Sequence, residues 1–218
     1  MAFQLSSEQQ EFRELLRRFF ADQLPSAELR RWMDSEQGYD AGLWKQICAE
    51  LGLAGLGIPE ALGGQGFGFA ELCLALREAG AVLLGAPLFG SAGLCARVLL
   101  RAGSESAQRE LLPELAAGEV FALAWVEAQG SWHPGAAQLE ARASGGRAEL
   151  SGEKHFVLHG HVASRLLVLA REPGSSGTQG LGLYLVEADA PGVARVPLRG
   201  LDPTRRFARL HFERASAR

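Results

Sequence analysis

The chain has 218 residues, 47 % of them apolar and 22 % charged, with a formal net charge of −3 and a pI near 6.0. That length holds one large domain or two small ones, and the composition is that of a soluble globular protein rather than a disordered or fibrous one. With no basic excess to neutralise phosphate backbones, nucleic acid is not an expected partner.

Met1-Ala2-Phe3-Gln4 leads straight into a charged amphipathic pattern, without the basic and apolar blocks of a signal peptide. No uncharged apolar run reaches the roughly 18 residues of a membrane span. The expected location is the cytoplasm. Cys48, Cys73 and Cys95 show no paired metal or redox spacing and read as reduced core thiols.

The first 118 residues read as five helices. Ser6 opens a capping box with Gln9, and Phe12, Leu15, Leu16, Phe19 and Phe20 recur at helical spacing until Pro25 stops the pattern. A second helix carries Leu43, Trp44, Ile47, Cys48 and Leu51 and ends at Gly52, the residue type that most easily takes the left-handed C-terminal position. A glycine-rich loop from Gly55 to Gly68 precedes a third helix around Glu71–Leu84. Two more follow, over Ser91–Ala102 and Ser106–Ala117.

From Val120 the period shortens to β-type runs: Val120–Val126, Gln138–Ala143, Ala148–Leu150, His155–Leu158, Leu166–Ala170, Leu181–Val186, Val193–Val196 and Ala208–Phe212. Such runs between turn signals predict a sandwich or barrel. Gly145-Gly146 has the composition of a hairpin turn, and Glu172 to Gly180 that of a connecting loop. The fold class is therefore α+β: an all-α N-terminal helical domain over 1–118, then a β-barrel-like domain over 119–218.

Several local patterns invite a chemical reading. The glycine-rich loop ahead of a helix invites an anion cradle, but it lacks GxxxxGK[ST], and Phe69-Ala70-Glu71 stands where a dinucleotide fingerprint needs its third glycine. The competing reading is a turn with unusual backbone angles. His155, His159 and His161 would share one face of a strand, with His133 upstream as a fourth zinc ligand. No cysteine or carboxylate completes a known ligand spacing, so no metal is assigned. Ser131 near His133 lacks the GxSxG elbow of a hydrolase. Trp125, Trp132 and Phe156, clustered near a Gly-Ser pair, stand out as a group.

The run from Leu43 to Glu60, followed by Gly63-Gly64-Gln65-Gly66, resembles the acyl-CoA dehydrogenase pattern in which a helix ends in "LGL", then "PE", then "GGxG". Pro87, Leu112 to Glu119, Ala122-Leu123-Ala124 and Ser151-Gly152-Glu153-Lys154 follow in the family's order and spacing, so the resemblance covers about Leu5 to Phe212. It implies that FAD and the acyl thioester sit between a helical domain and a β middle domain. The family's flavin-lining "TEP…GSD" strand corresponds to Ala124 through Trp132. There Val126 replaces the flavin-contacting threonine, Ala128 the proline and Trp132 the aspartate, and Gly130 and Ser131 match the part that meets the pyrophosphate. The second lining segment, "GxKxWITNG", corresponds to Gly152 through Gly160, with Phe156 for the tryptophan and Leu158 in place of a hydroxyl residue. By resemblance the cofactor-binding residues are Trp125, Val126, Gly130, Ser131, Phe156, Val157 and Leu158. Two lost hydroxyls remove two hydrogen bonds of about 0.5–1.5 kcal/mol each, which weakens or retunes flavin binding without forbidding it.

The family's chemistry is α,β-desaturation of an acyl-CoA to the trans-2-enoyl-CoA, with electrons passing to an electron-transfer flavoprotein or similar acceptor in a homo- or hetero-oligomer. Its base is a glutamate of a C-terminal helical domain. The sequence ends at Arg218, before that domain, so the resemblance implies an incomplete chain that binds flavin weakly as it stands. Glu127 matches a structural glutamate of the family, so no catalytic residue is assigned. The "FVLHG" form resembles a divergent branch that includes small subunits of heteromeric dehydrogenases for dicarboxylic or sterol-derived thioesters. A short non-catalytic subunit that needs a partner chain is therefore the alternative, and a non-enzymatic binding protein a third reading.

Overall fold

The computed structural model describes residues 4–144 and 146–218, which divide into two compact units. One comprises the residues up to 100 together with 104–118, the other 101–103 together with 119–218.

The first unit is helical: α1 (Ser7–Gln23), α2 (Ser26–Met33), α3 (Ala41–Leu51), α4 (Phe69–Ala81), α5 (Ala96–Ala102, whose last two residues fall in the second unit) and α6 (Glu105–Ala116). The Ser6–Gln9 capping box forms as expected. Leu16 and Phe20, one turn apart on α1, are fully buried, and burying a side chain of that size contributes about 1.5–3 kcal/mol. α1 packs on α4, where Arg17 meets the buried Glu78 at 2.8 Å and Gln9 donates to Glu71 at 2.8 Å. Asp40 caps α3 by accepting from the Leu43 amide, and Gly52 ends it at φ +61°. The Trp44 indole N–H donates to the Gly118 carbonyl at 2.7 Å, tying α3 to the end of the unit.

Three features differ from the sequence expectation. α2 is additional: it buries no residue completely, so it leaves no apolar stripe to read. The helix expected over Ser91–Ala102 begins as a π-helical segment, Phe89–Cys95, before becoming α5, and apolar periodicity does not separate those two windings. Cys73 is exposed, whereas Cys48 and Cys95 are buried and all three are free; burial pushes the Cys48 thiol up to about 12. Gly80, inside α4, has open space where a Cβ would stand. Gly80→Ala should therefore raise stability by about 0.5–1 kcal/mol, measured as a higher urea midpoint at unchanged slope.

The second unit is one curled sheet: β1 (Phe121–Ala124), β2 (Glu140–Ser144), β3 (Arg147–Leu158), β4 (Arg165–Arg171), β5 (Leu181–Glu187), β6 (Val193–Leu198) and β7 (Phe207–Ala217). The order is β1-β4-β2-β3-β7-β6, with β5 on β4. Leu185 and Arg218 exchange backbone hydrogen bonds of 2.7 and 3.1 Å, so β5 meets the residue after β7 and the sheet closes as a barrel-like layer. Leu150, Leu166, Val168, Val186, Leu210 and Phe212 fill its core. The β2–β3 hairpin pairs Ser144 with Arg147, and Gly146 takes φ +81°; Gly145 lies outside the described residues.

Ala148–Leu150 and His155–Leu158, expected as separate strands, are one strand, β3. Its pairing with β7 shifts register between Leu150 and Gly152 and again between Lys154 and Val157. These bulges interrupt the alternation that a sequence reading relies on.

Candidate functional site

The second bulge of β3 builds the site. His155 and Phe156 sit within that register shift, and Phe156 adopts φ +54°, a conformation that side chains other than glycine seldom take. Its ring is 52 % exposed. The His155 amide donates to the Val126 carbonyl at 2.8 Å. Next to it, the Lys154 ammonium donates to Glu127 Oε1 at 2.8 Å and to the Trp125 carbonyl at 3.3 Å. The two segments singled out in the sequence, 125–131 and 156–158, are thus joined side by side through consecutive residues of β3.

Lys154 has no exposed surface and Glu127 is buried with it. Burial pushes the Glu127 carboxyl up, but hydrogen bonds from Lys154 and from the Leu139 and Gln138 amides outweigh it and hold the carboxyl below its usual range. Burial lowers the proton affinity of Lys154, against the pull of Glu127. The Glu127 carboxylate also staples a loop. It accepts from Gln138 N at 2.9 Å and Leu139 N at 3.0 Å, so both ends of segment 128–137 are held at one carboxylate. With its oxygens so engaged, Glu127 is a structural residue and not a free base.

Within that loop Gly130 turns at φ +74° and donates to the Glu127 carbonyl at 2.9 Å. Among the described residues, the Ser131 and Trp132 amides donate to no protein acceptor. The Ser131 hydroxyl accepts from His133 N at 3.2 Å, leaving its proton to donate. Unclaimed N–H groups beside a left-handed glycine are an anion-binding arrangement. The Trp125 indole donates to the Trp132 carbonyl at 3.0 Å, and the Trp132 ring is left 78 % exposed.

The expected site residues do not all present side chains. Val157 is 1 % exposed and belongs to the barrel core, and Val126 is also buried, so each offers a ligand backbone atoms rather than a side chain. Phe156, Leu158, Trp125, Gly130 and Ser131 retain exposed surface. An exposed aromatic residue and an apolar edge on one segment, and an amide-lined turn on the segment bonded beside it, offer a flat surface and anion donors to a ligand.

The glycine-rich loop is not such a cradle. Its Gln65, Gly66 and Phe67 amides donate to Gly55, Ile58 and Leu56 carbonyls at 2.9–3.0 Å, leaving those donors no anion to meet. The histidines diverge as well. His155 lies on β3 and pairs with Glu153 at 3.1 Å, which also meets His211 of β7 at 3.4 Å. His159 and His161 lie in the turn after β3, His159 at φ +57°. Among the described residues no three histidine, cysteine or acidic side chains are arranged to hold a metal, and no helix is long and apolar enough to cross a membrane.

The sequence reading missed Arg171, which donates to the Ala137, Gly135 and Gly177 carbonyls and to Ser175 Oγ. Its signal was slight: one arginine closing an apolar strand.

A family profile described as "Acyl-CoA dehydrogenase, N-terminal domain" matches residues 6–119. The mitochondrial isovaleryl-CoA dehydrogenase of Oryza sativa subsp. japonica is 30 % identical over 174 residues, which are 75 % of this chain and 42 % of that protein. Among solved structures, a variant of the Tcur3481-Tcur3483 steroid ACAD matches with a TM-score of 0.85 at 32 % identity, over 97 % of this chain and 56 % of that one. The ChsE4-ChsE5 complex from Mycobacterium tuberculosis matches with a TM-score of 0.86 at 26 % identity, over 99 % of this chain and 56 % of that one. The chain spans about half the length of these proteins.

Proposed function

Because the chain belongs to the acyl-CoA dehydrogenase family, we propose that it holds FAD on the joined segments 125–132 and 154–158 and serves the α,β-desaturation of an acyl-CoA thioester to its trans-2-enoyl-CoA. The observation that carries this reading is that the segment bearing the exposed Phe156 is bonded, through His155 and Lys154, to Val126 and Glu127, which lead into the Gly130–Trp132 turn. FAD, when bound, supplies the acceptor for the hydride leaving the substrate's β-carbon, the companion of the α-proton taken by a carboxylate.

The chain's own residues bind and orient. The Ser131 and Trp132 amides and the Ser131 hydroxyl would hold the pyrophosphate as hydrogen-bond donors. Phe156 would offer its ring to the isoalloxazine, and Leu158 would give it an apolar neighbour that excludes water and donates no hydrogen bond. Glu127 and Lys154 fix the spacing of the two segments and carry no proton in the reaction, so the base comes from outside this framework. Electrons leave to an electron-transfer flavoprotein or similar acceptor.

A second reading is that the chain acts as one subunit of a heteromeric dehydrogenase and completes its site only with a different chain. The likeness to the ChsE4-ChsE5 complex favours it.

The test is flavin retention. Protein incubated with FAD and then desalted should keep a flavin absorbance band, alone or with a partner chain. Phe156→Ala should raise the FAD Kd about tenfold, the scale of one aromatic stack on a planar base (~1–3 kcal/mol). No retained flavin under either condition would sink the cofactor assignment, and an unchanged Kd would remove Phe156 from it.

A further inference from the structure

Arg171 ends β4 after the buried run Leu166–Ala170 and is itself only 5 % exposed. Its guanidinium reaches two loops at once. Nε donates to the Ala137 carbonyl, Nη2 to the carbonyls of Gly135 at 3.1 Å and Gly177 at 2.8 Å, and Nη1 to Ser175 Oγ at 3.4 Å. All four acceptors are neutral.

Among the described residues Arg171 pairs with no carboxylate. That is unusual, because buried charges are normally paired. The neighbouring buried pair does not supply the missing charge: Lys154 and Glu127 neutralise each other, and Arg171 lies close enough to Lys154 to help lower its proton affinity, after burial. Segment 128–137 therefore rests on a net buried positive charge. The same segment carries the Ser131 and Trp132 amides, which have no protein acceptor among the described residues. An anion at that turn would meet the amides on a segment whose other end, at Gly135 and Ala137, is bonded to a buried cation with its own donors already spent on shaping the loop.

We propose that Arg171 is a positioning residue that fixes the Gly130–Ala137 loop and supplies the positive charge answered by a ligand's diphosphate. This rests on the FAD reading of the same turn and adds to it a charge requirement: the turn selects a diphosphate-bearing nucleotide, and Arg171 favours it without touching it. Lysine at 171 keeps the charge and loses the planar fork, whereas glutamine loses the charge.

The experiment titrates the full chain with ADP, which has the diphosphate and no flavin, and reads quenching of tryptophan fluorescence beside the Trp132 ring. Arg171→Lys and Arg171→Gln are compared with the unaltered chain, and thermal melting establishes that each is folded. The expected result is a Kd raised about tenfold or more by glutamine and by less than about threefold by lysine, as a through-space charge effect requires. Equal losses in the two variants would reduce Arg171 to a loop clamp and overturn the proposal, as would an unchanged Kd in the glutamine variant. Should the glutamine variant fail to fold, Arg171→Met, which also removes the charge, takes its place beside lysine: a Kd raised about tenfold or more by methionine alone supports the charge role, and an unchanged Kd overturns it. An unaltered chain that binds ADP but not FAD keeps the anion site and loses the flavin reading; one that binds FAD but not ADP keeps the flavin reading and loses this proposal.

Discussion

Replacing Lys154 with methionine should lower the unfolding free energy by about 3–5 kcal/mol, Glu127→Gln should do the same, and the double variant should recover most of the loss. The asymmetry follows from burial. Lys154 has no exposed surface and bonds to Glu127 at 2.8 Å and to the Trp125 carbonyl at 3.3 Å. With Glu127 neutralised, a fully buried ammonium keeps only neutral oxygen acceptors and no counter-charge. With Lys154 removed, the carboxylate keeps the Gln138 and Leu139 amides but has no counter-charge. A methionine–glutamine pair of similar volume leaves no charge behind, and the glutamine carbonyl can still accept from those amides. Domains are stable by only about 5–15 kcal/mol, so either single change removes a large share of the margin. Urea unfolding of the four proteins gives the cycle directly, and single losses that merely add in the double variant would refute the pairing.

The same pair contributes to the acid limb of stability. The folded-state pKa of Glu127 lies below its unfolded value, because hydrogen bonds from Lys154 and the two amides outweigh the upward push of burial. Its contribution is complete above the ordinary carboxylate range and is lost as pH falls through the lower folded-state value. Lys154 acts at the other end. Burial lowers its pKa, so the unfolded chain binds more protons between the folded and unfolded values, and stability rises with pH there. In Glu127→Gln the acid loss should shrink, which a urea series at descending pH reads.

What the sequence revealed of this site follows the range of each interaction. The α1 capping box and the α3 stripe are local, and both were legible. Trp125 to Ser131 and Phe156 to Leu158 were legible only as motifs, since nothing local says that His155 N meets the Val126 carbonyl 29 residues back. That the Val157 side chain enters the core while its neighbour Phe156 stays exposed was not legible, because the bulge at His155-Phe156 resets which residues face inward. Arg171 was invisible: its importance lies in burial and in carbonyls of two loops, one about 35 residues away. The meeting of Leu185 with Arg218 that closes the sheet was equally out of reach.

The glycine-rich loop shows the converse, a local signal with two readings that only packing separates. Gly64→Ala should destabilise the helical unit by about 3 kcal/mol, the upper end of the usual overpacking range. A Cβ there would lie 2.6 Å from the Ile58 carbonyl carbon and closer still to its oxygen. That carbonyl cannot retreat cheaply, because it accepts the Gly66 amide at 2.9 Å, while Gln65 and Phe67 bond back to Gly55 and Leu56. Four residues of loop are thus laid against the chain before Pro59, and one added methyl group displaces backbone rather than a side-chain tip. Gly80→Ala serves as the control, since its Cβ meets open space. An anion cradle would predict that Gly64→Ala chiefly weakens nucleotide binding, with thermal stability intact. Close backbone packing predicts a lowered melting temperature with or without any ligand present, and a melting temperature equal to that of the unaltered chain would exclude it.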